Sequence, residues 1–264
     1  NVISSLSDDG RVWRINDNAG HRFEGSVTTT PPPPNAQNAG QIPSLTNQWI
    51  DVRFKNSDGP TEFLALAAGK TTEILRLLPA TVPTGLNLDP AHSNRAVRAA
   101  VLSAAFMLQR VLGDNFDIDP EEIEVANLVV RTLIGGIKVG EIVLSDRLPN
   151  GAGFVRQAHQ DIISILREIC NPTRTGSYAE IIHRRQHADE CDHACYDCLM
   201  VYRNMTYHGL LDWRLGMSYL KILLDSGYRA GLDNNFSQTE LREWLGDSMK
   251  LRDDFITYFG YTPQ

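Results

Sequence analysis

Where the cysteines lie restricts this chain more than any other feature. There are four, none before Cys170, and Cys191, Cys195 and Cys198 crowd into one short stretch. A secreted disulfide framework spreads its cysteines through a much shorter chain. The pattern Cys170-x20-Cys191-x3-Cys195-x2-Cys198 favours metal ligation in a reducing cytosol, so a cytoplasmic location is expected. A tetrahedral zinc site needs four soft or borderline ligands converging within a few ångströms. Cys195 and Cys198 can supply two thiolates from one tight turn, and Cys191 is near enough for a third. Cys170, at the end of an expected helix, can close the site once the intervening loop folds back. Four thiolates fill the coordination sphere and leave no position for water, so one structural Zn2+ is expected rather than a catalytic one. His183, His187 and His193 are near enough in sequence to replace a cysteine, and His183 and His187 would share a helix face. The all-cysteine set is the reading adopted, because a histidine beside such a cluster more often lies outside the coordination shell.

Around the cluster, apolar periodicity sets the elements. Residues 12–15 and 21–24 are short strand-like runs with Asx and Gly residues between them, which predicts a hairpin. The four prolines 31–34 and the Asn/Ala/Gly/Gln run to Gln41 predict an exposed linker. Residues 50–54, 72–77 and 137–144 predict strands. Val97, Val101, Ala104, Leu108 and Val111 form one helical face over 95–112, with Ser93 as the expected cap. Phe154, Ala158, Ile162, Ile165 and Ile169 form another, and 210–224 and 241–259 predict further helices, the last broken near Gly246. No internal repeat is visible. The expected class is α+β, a small mixed sheet packed with several helices and a zinc-stapled helical C-terminal part. The expected division is an N-terminal hairpin and Pro-rich linker over 1–48 and a zinc-binding domain over 49–264. At 264 residues the chain can bury a substantial core. No apolar run approaches 18 residues and no signal segment opens the chain, so no membrane partner is expected. The start at Asn1 without a Met suggests a piece of a longer polypeptide.

The segment Cys191-Asp-His-Ala-Cys195-Tyr-Asp-Cys198-Leu-Met-Val-Tyr202-Arg-Asn204, followed by His208-Gly-Leu-Leu-Asp212-Trp-Arg214, resembles the MrfA-type zinc-binding domain. That is the cysteine-rich C-terminal module of superfamily 2 DEAD/DEAH-type helicases and of DISARM phage-defence proteins. A second segment, Val143-Leu-Ser-Asp146-Arg-Leu-Pro149-Asn150-Gly151-Ala152-Gly153, is similar to a family strand, Asp and Pro-Gly-Gly-Ala-Gly turn into a helix, with Asn150 in place of the first Gly. Asn tolerates a left-handed backbone, so the turn is expected to survive. A third, Lys70-Thr71-Thr72-Glu73-Ile74-Leu75, is similar to a family strand that follows a Thr. The resemblance covers residues 61–220. It implies four Cys ligands for zinc and attachment to a helicase motor that lies outside this chain. In the turn, Gly151 and Gly153 permit a sharp strand-to-helix reversal that leaves backbone N–H groups free at the helix start. A DNA phosphate could take them. The reading adopted is that Asp146 does, because its carboxylate would repel a phosphate.

Other motifs are declined. Gly69-Lys70-Thr71 lacks the earlier Gly of a phosphate loop and precedes strand-like residues. Residues 114–119 have the acidic residues of a calcium loop without its turn Gly. No Gly-x-Ser-x-Gly elbow occurs. The formal net charge of −7 opposes binding driven by phosphate neutralisation. Any DNA contact must use a local patch, and the candidates are Arg184 and Arg185, with Arg203 and Arg214; the bland alternative is a solvated face. The function that the resemblance implies is a non-enzymatic accessory domain of a DNA helicase acting in repair or antiviral defence. The alternative is a protein–protein scaffold that partners a separate helicase without touching DNA.

Overall fold

The computed structural model describes residues 1–17, 20–28, 41–43, 49–53 and 62–262. Most of the expected linker at 31–41 lies outside them. The chain divides into two compact units, one of Asn1–Gly10 with Thr71–Gln264 and one of Arg11–Lys70. In chain order the strands and helices are β1 (Val2–Asn16), β2 (Phe23–Thr28), β3 (Gln41–Pro43), β4 (Trp49–Arg53), β5 (Glu62–Leu64), β6 (Leu66–Pro79), α1 (Arg95–Phe116), β7 (Ile123–Val125), β8 (Val129–Thr132), β9 (Lys138–Asp146), α2 (Phe154–Cys170), α3 (Tyr178–His183), α4 (Arg185–Glu190), α5 (Trp213–Leu224) and α6 (Trp244–Phe259). A short 3-10 segment, Tyr202–Tyr207, follows the cysteine cluster.

The smaller unit carries a four-stranded sheet ordered β3-β4-β2-β5, in which β2 pairs antiparallel with both β4 and β5. β1 pairs instead with β6, so the two N-terminal strands expected as one hairpin belong to different sheets.

The larger unit is an α+β layer. Its sheet runs β1-β6-β9-β7, with β8 also on β9. β9 pairs antiparallel with β6, β7 and β8, so the described pairings contain no parallel pair where a mixed sheet was expected. After Lys138 every residue of β9 is buried, as suits a strand covered on both sides. α1 is the central helix and packs on α5 and β9. Thirteen of its residues are buried, from Ala99 to Gly113. By length and composition alone α1 could cross a bilayer, but this burial is that of a core helix. Asn94, one residue beyond the expected Ser93, caps it by accepting from the Val97 N–H. Where α1 meets α5, Gly216 allows close approach: a Cβ there would lie 2.8 Å from Ser103 Cβ and 2.9 Å from the Met107 sulfur. Asp212 starts α5 by accepting from the Leu215 N–H at 3.0 Å, so the helix begins three residues later than expected. Its own N–H donates to Ser103 Oγ, tying the cap back to α1. α6 runs through Gly246 without a break and has no buried residue.

Candidate metal centre

α4 is two turns long, and His187 projects from it one turn before Cys191. His187 Nε2 faces Cys195 Sγ at 3.7 Å. Cys195 and Cys198 Sγ are 3.5 Å apart, and Cys191 and Cys198 Sγ are 3.8 Å apart. The four ligand atoms all lie within 4.8 Å of one another. Sulfurs about 2.3 Å from a tetrahedral zinc lie about 3.8 Å apart, and a nitrogen at about 2.0 Å lies about 3.5 Å from a sulfur. These three spacings lie within about 0.3 Å of those values. The donor set of one imidazole and three thiols is one that zinc takes, and all four cysteines of the chain are free of disulfides.

The surroundings hold these ligands in place. His187 Nδ1 is 3.1 Å from the Ile182 carbonyl; an Nδ1–H donated there leaves Nε2 with its lone pair toward the thiols, the tautomer a metal needs. The Cys195 N–H donates to Cys198 Sγ at 3.1 Å, and the Leu199 and Met200 N–H groups donate to the Cys195 carbonyl. Tyr178 Oη donates to the Cys198 carbonyl at 2.7 Å. Trp213 Nε1–H donates to the Cys191 carbonyl at 2.9 Å, and its ring lies 5.0 Å from that of His187. Asn204, itself buried, donates to the Leu199 carbonyl and accepts from the Val201 N–H, and His208 reaches the same Asn204 side chain. These residues outside the ligand set explain much of the pattern that follows Cys198.

Charge concentrates on one thiol. Hydrogen bonding from Cys191, with further help from His187 and the Cys195 backbone, pulls Cys198 down to about 4 against the desolvation of its site. Cys191 is pushed up, chiefly by its bond to Cys198, and Cys195 is pushed up chiefly by burial. A cation among the three reverses this rise, because it favours every thiolate at once.

Cys170 is not in this group. It is 2% exposed at the C-terminal end of α2 and continues the apolar stripe of Ile162, Leu166 and Ile169. Burial pushes its thiol up to about 12, and the charged groups that act on it are Lys221 and Glu240. Among the described residues, the group that could hold a metal ion therefore has His187 where the sequence reading put Cys170. His183 also stays out of the cluster and contacts the Ile169 carbonyl at 2.9 Å. His193 pairs with Asp212 at 3.2 Å.

The turn after β9 is closed by Asp146, whose side chain is fully buried. Its Oδ2 accepts from the Ala152 and Gly153 N–H groups at 2.6 and 2.7 Å, and its Oδ1 accepts from the Val155 N–H at 3.0 Å. The carboxylate thus holds the amides at the start of α2 that an anion would use. Asn150, Gly151 and Gly153 all have positive φ, of 67°, 81° and 88°. Glu73 packs over Gly151 so closely that a Cβ there would lie 2.6 Å from its Cγ. Thr72 Oγ1 donates to the Asp146 and Leu148 carbonyls. Segments 70–75 and 143–153 therefore form one structural knot.

The four candidate arginines do not share one role. Arg184 forks onto Glu180 at 2.9 and 2.6 Å, Arg185 pairs loosely with Asp189 at 3.5 Å, and Arg203 pairs with Glu121 at 2.5 Å. Arg214 donates to the carbonyls of Ala188, Cys191 and Asp192 and lies over the Trp213 ring, so it braces the metal loop.

No protein-family model matches the chain, and no curated protein matches it. Among solved structures, a crystal structure of DUF1998 helicase MrfA bound to DNA is similar at 10% identity and a TM-score of 0.41, over 83% of this chain and 26% of that one. The chain spans about a quarter of the length of that helicase chain.

Proposed function

We propose that this chain is an accessory domain whose zinc, held by His187, Cys191, Cys195 and Cys198, staples a helical C-terminal part, and that it serves a superfamily 2 DNA helicase. The observation that carries the zinc reading is the closed set of four ligand atoms within 4.8 Å of one another. One nitrogen and three sulfurs complete a tetrahedron, so the metal's chemistry here is cross-linking: it joins α4 to the loop that leads into α5. The helicase reading is supported by the likeness of the cysteine segment, and of the segments around Glu73 and Asp146, to the MrfA-type module. On this reading ATP turnover belongs to a motor outside these residues.

One observation favours the second reading, a scaffold that joins a helicase without touching DNA. Each candidate arginine already has a carboxylate or carbonyl partner within the domain. The test is to express the longest natural polypeptide containing this chain and measure DNA-stimulated ATPase and strand separation. Both activities are expected in that polypeptide or a co-purified subunit, and both should fall with Cys198→Ser. A zinc-loaded protein with no ATPase in the chain or any bound subunit contradicts the helicase assignment.

A further inference from the structure

A groove of about 540 Å³ runs beside the metal loop, and its chemistry is unlike that of a DNA-binding surface. One wall is Asp192 and His193, which lie between the ligands Cys191 and Cys195. The floor is Leu215 and Ser218 of α5, and the far wall is Leu241, Glu243, Trp244 and Asp247. Trp244 is 57% exposed yet held in place, stacked on Phe236 at 5.5 Å with an interplanar angle of 8°. Asp212 and Glu240 complete a set of five carboxylates facing one guanidinium, Arg214. That guanidinium is occupied by three backbone carbonyls and Glu243, and Glu240 is neutralised by Lys221 at 2.8 Å. Asp212 caps α5 and holds His193. Asp192 and Asp247 are exposed, with no side-chain partner among the described residues. A fixed, exposed indole in a groove that also presents two exposed carboxylates attracts a cation and repels a phosphate.

We infer that this groove docks an arginine side chain carried on an exposed segment of a partner protein. A guanidinium is planar and weakly hydrated. It can stack on an indole while its fork of donors reaches a carboxylate, which a lysine ammonium cannot do as well. The volume suits one or two side chains rather than a folded element. Nucleic acid does not fit, because a phosphate backbone would enter an acidic field. The Asp192–His193 wall is set by the metal loop: the Trp213 N–H holds the His193 carbonyl at 2.8 Å, and Arg214 holds that of Asp192 at 2.6 Å. The start of α5 therefore fixes this wall of the groove, whether or not the partner is a helicase.

The test uses the whole zinc-loaded chain and a capped glycine-rich heptapeptide with two arginines, followed by the indole N–H signals of the tryptophans in NMR. The Trp244 signal, assigned from Trp244→Phe, is expected to shift and saturate at millimolar peptide. The citrulline version of the peptide should bind roughly tenfold more weakly, as should the arginine peptide to Asp192→Asn/Asp247→Asn, a loss of about 1.4 kcal/mol. Both substitutions are at exposed positions, so the melting temperature should not change. Equal binding of the citrulline peptide, unchanged binding by the double variant, or a saturable shift of Trp244 by a short single-stranded oligonucleotide would each overturn the assignment.

Discussion

His187 and Cys170 divide the account at the scale of single residues. Both lie within reach of the Cys191–Cys198 cluster in sequence, and only His187 reaches it in space. His187→Ala should therefore cost the protein its zinc, whereas Cys170→Ala should leave close to one zinc per chain, as read by elemental analysis of chelator-free preparations. Cys170 behaves as a small buried hydrophobe. Its thiol ionises near 12 in the fold against an ordinary value of 9, so the neutral form is favoured inside. That stabilisation is fully present below pH 9 and is lost as pH rises through about 12. The stability difference between wild type and Cys170→Ala should shrink over that window, and Cys170 should resist alkylation of the folded protein at pH 8. Asp146 is the other decisive residue. It satisfies three N–H groups from a fully buried position, so Asp146→Ala should destabilise by at least about 2 kcal/mol in denaturant titration. Zinc content should not change, because the turn and the metal loop are separate constructions.

At the scale of elements, the proposed metal would join α4 to the loop entering α5, and α5 in turn rests on α1. Stripping the zinc with a chelator should release amide-exchange protection first between Tyr178 and Asp212, while β6 and β9 keep theirs. Protection lost evenly across the sheet would contradict a local staple. At the α1–α5 contact, Gly216→Val has no room beside Ser103 and Met107 and should cost about 1–3 kcal/mol of overpacking, read as a lower denaturation midpoint. Elements of this kind are what the sequence makes legible. The faces of α1 and α2 repeat at three- and four-residue steps, so both appear within a few residues of their observed ends. Three of the four candidate ligands are legible because Cys191, Cys195 and Cys198 crowd into eight positions, a span that one short loop can close. The fourth is not legible from spacing. Choosing it requires knowing which way α2 faces, and that depends on the core, where Cys170 extends the stripe of Ile162, Leu166 and Ile169. Strand order is hidden for a similar reason: β9 meets β6 through pairs such as Leu75 with Leu144, which sit far apart in sequence.

For the molecule as a whole, a net charge of −7 and arginines already paired within the domain argue against strong direct DNA binding. The isolated chain should bind DNA only at low salt, and Arg184→Glu with Arg185→Glu should leave the DNA affinity of the full assembly within about twofold, since exposed pairs of this sort contribute little. A large loss would return that patch to the DNA interface. The isolated chain should also show no ATP turnover. All of this rests on a zinc that fixes the fold through one imidazole and three thiolates. X-ray absorption at the zinc edge of the purified chain tests that claim most directly. The account predicts one zinc per chain with three sulfurs at about 2.3 Å and one nitrogen at about 2.0 Å. A shell of four sulfurs would restore Cys170 as a ligand, and a shell of oxygens or an absence of zinc would contradict the site altogether.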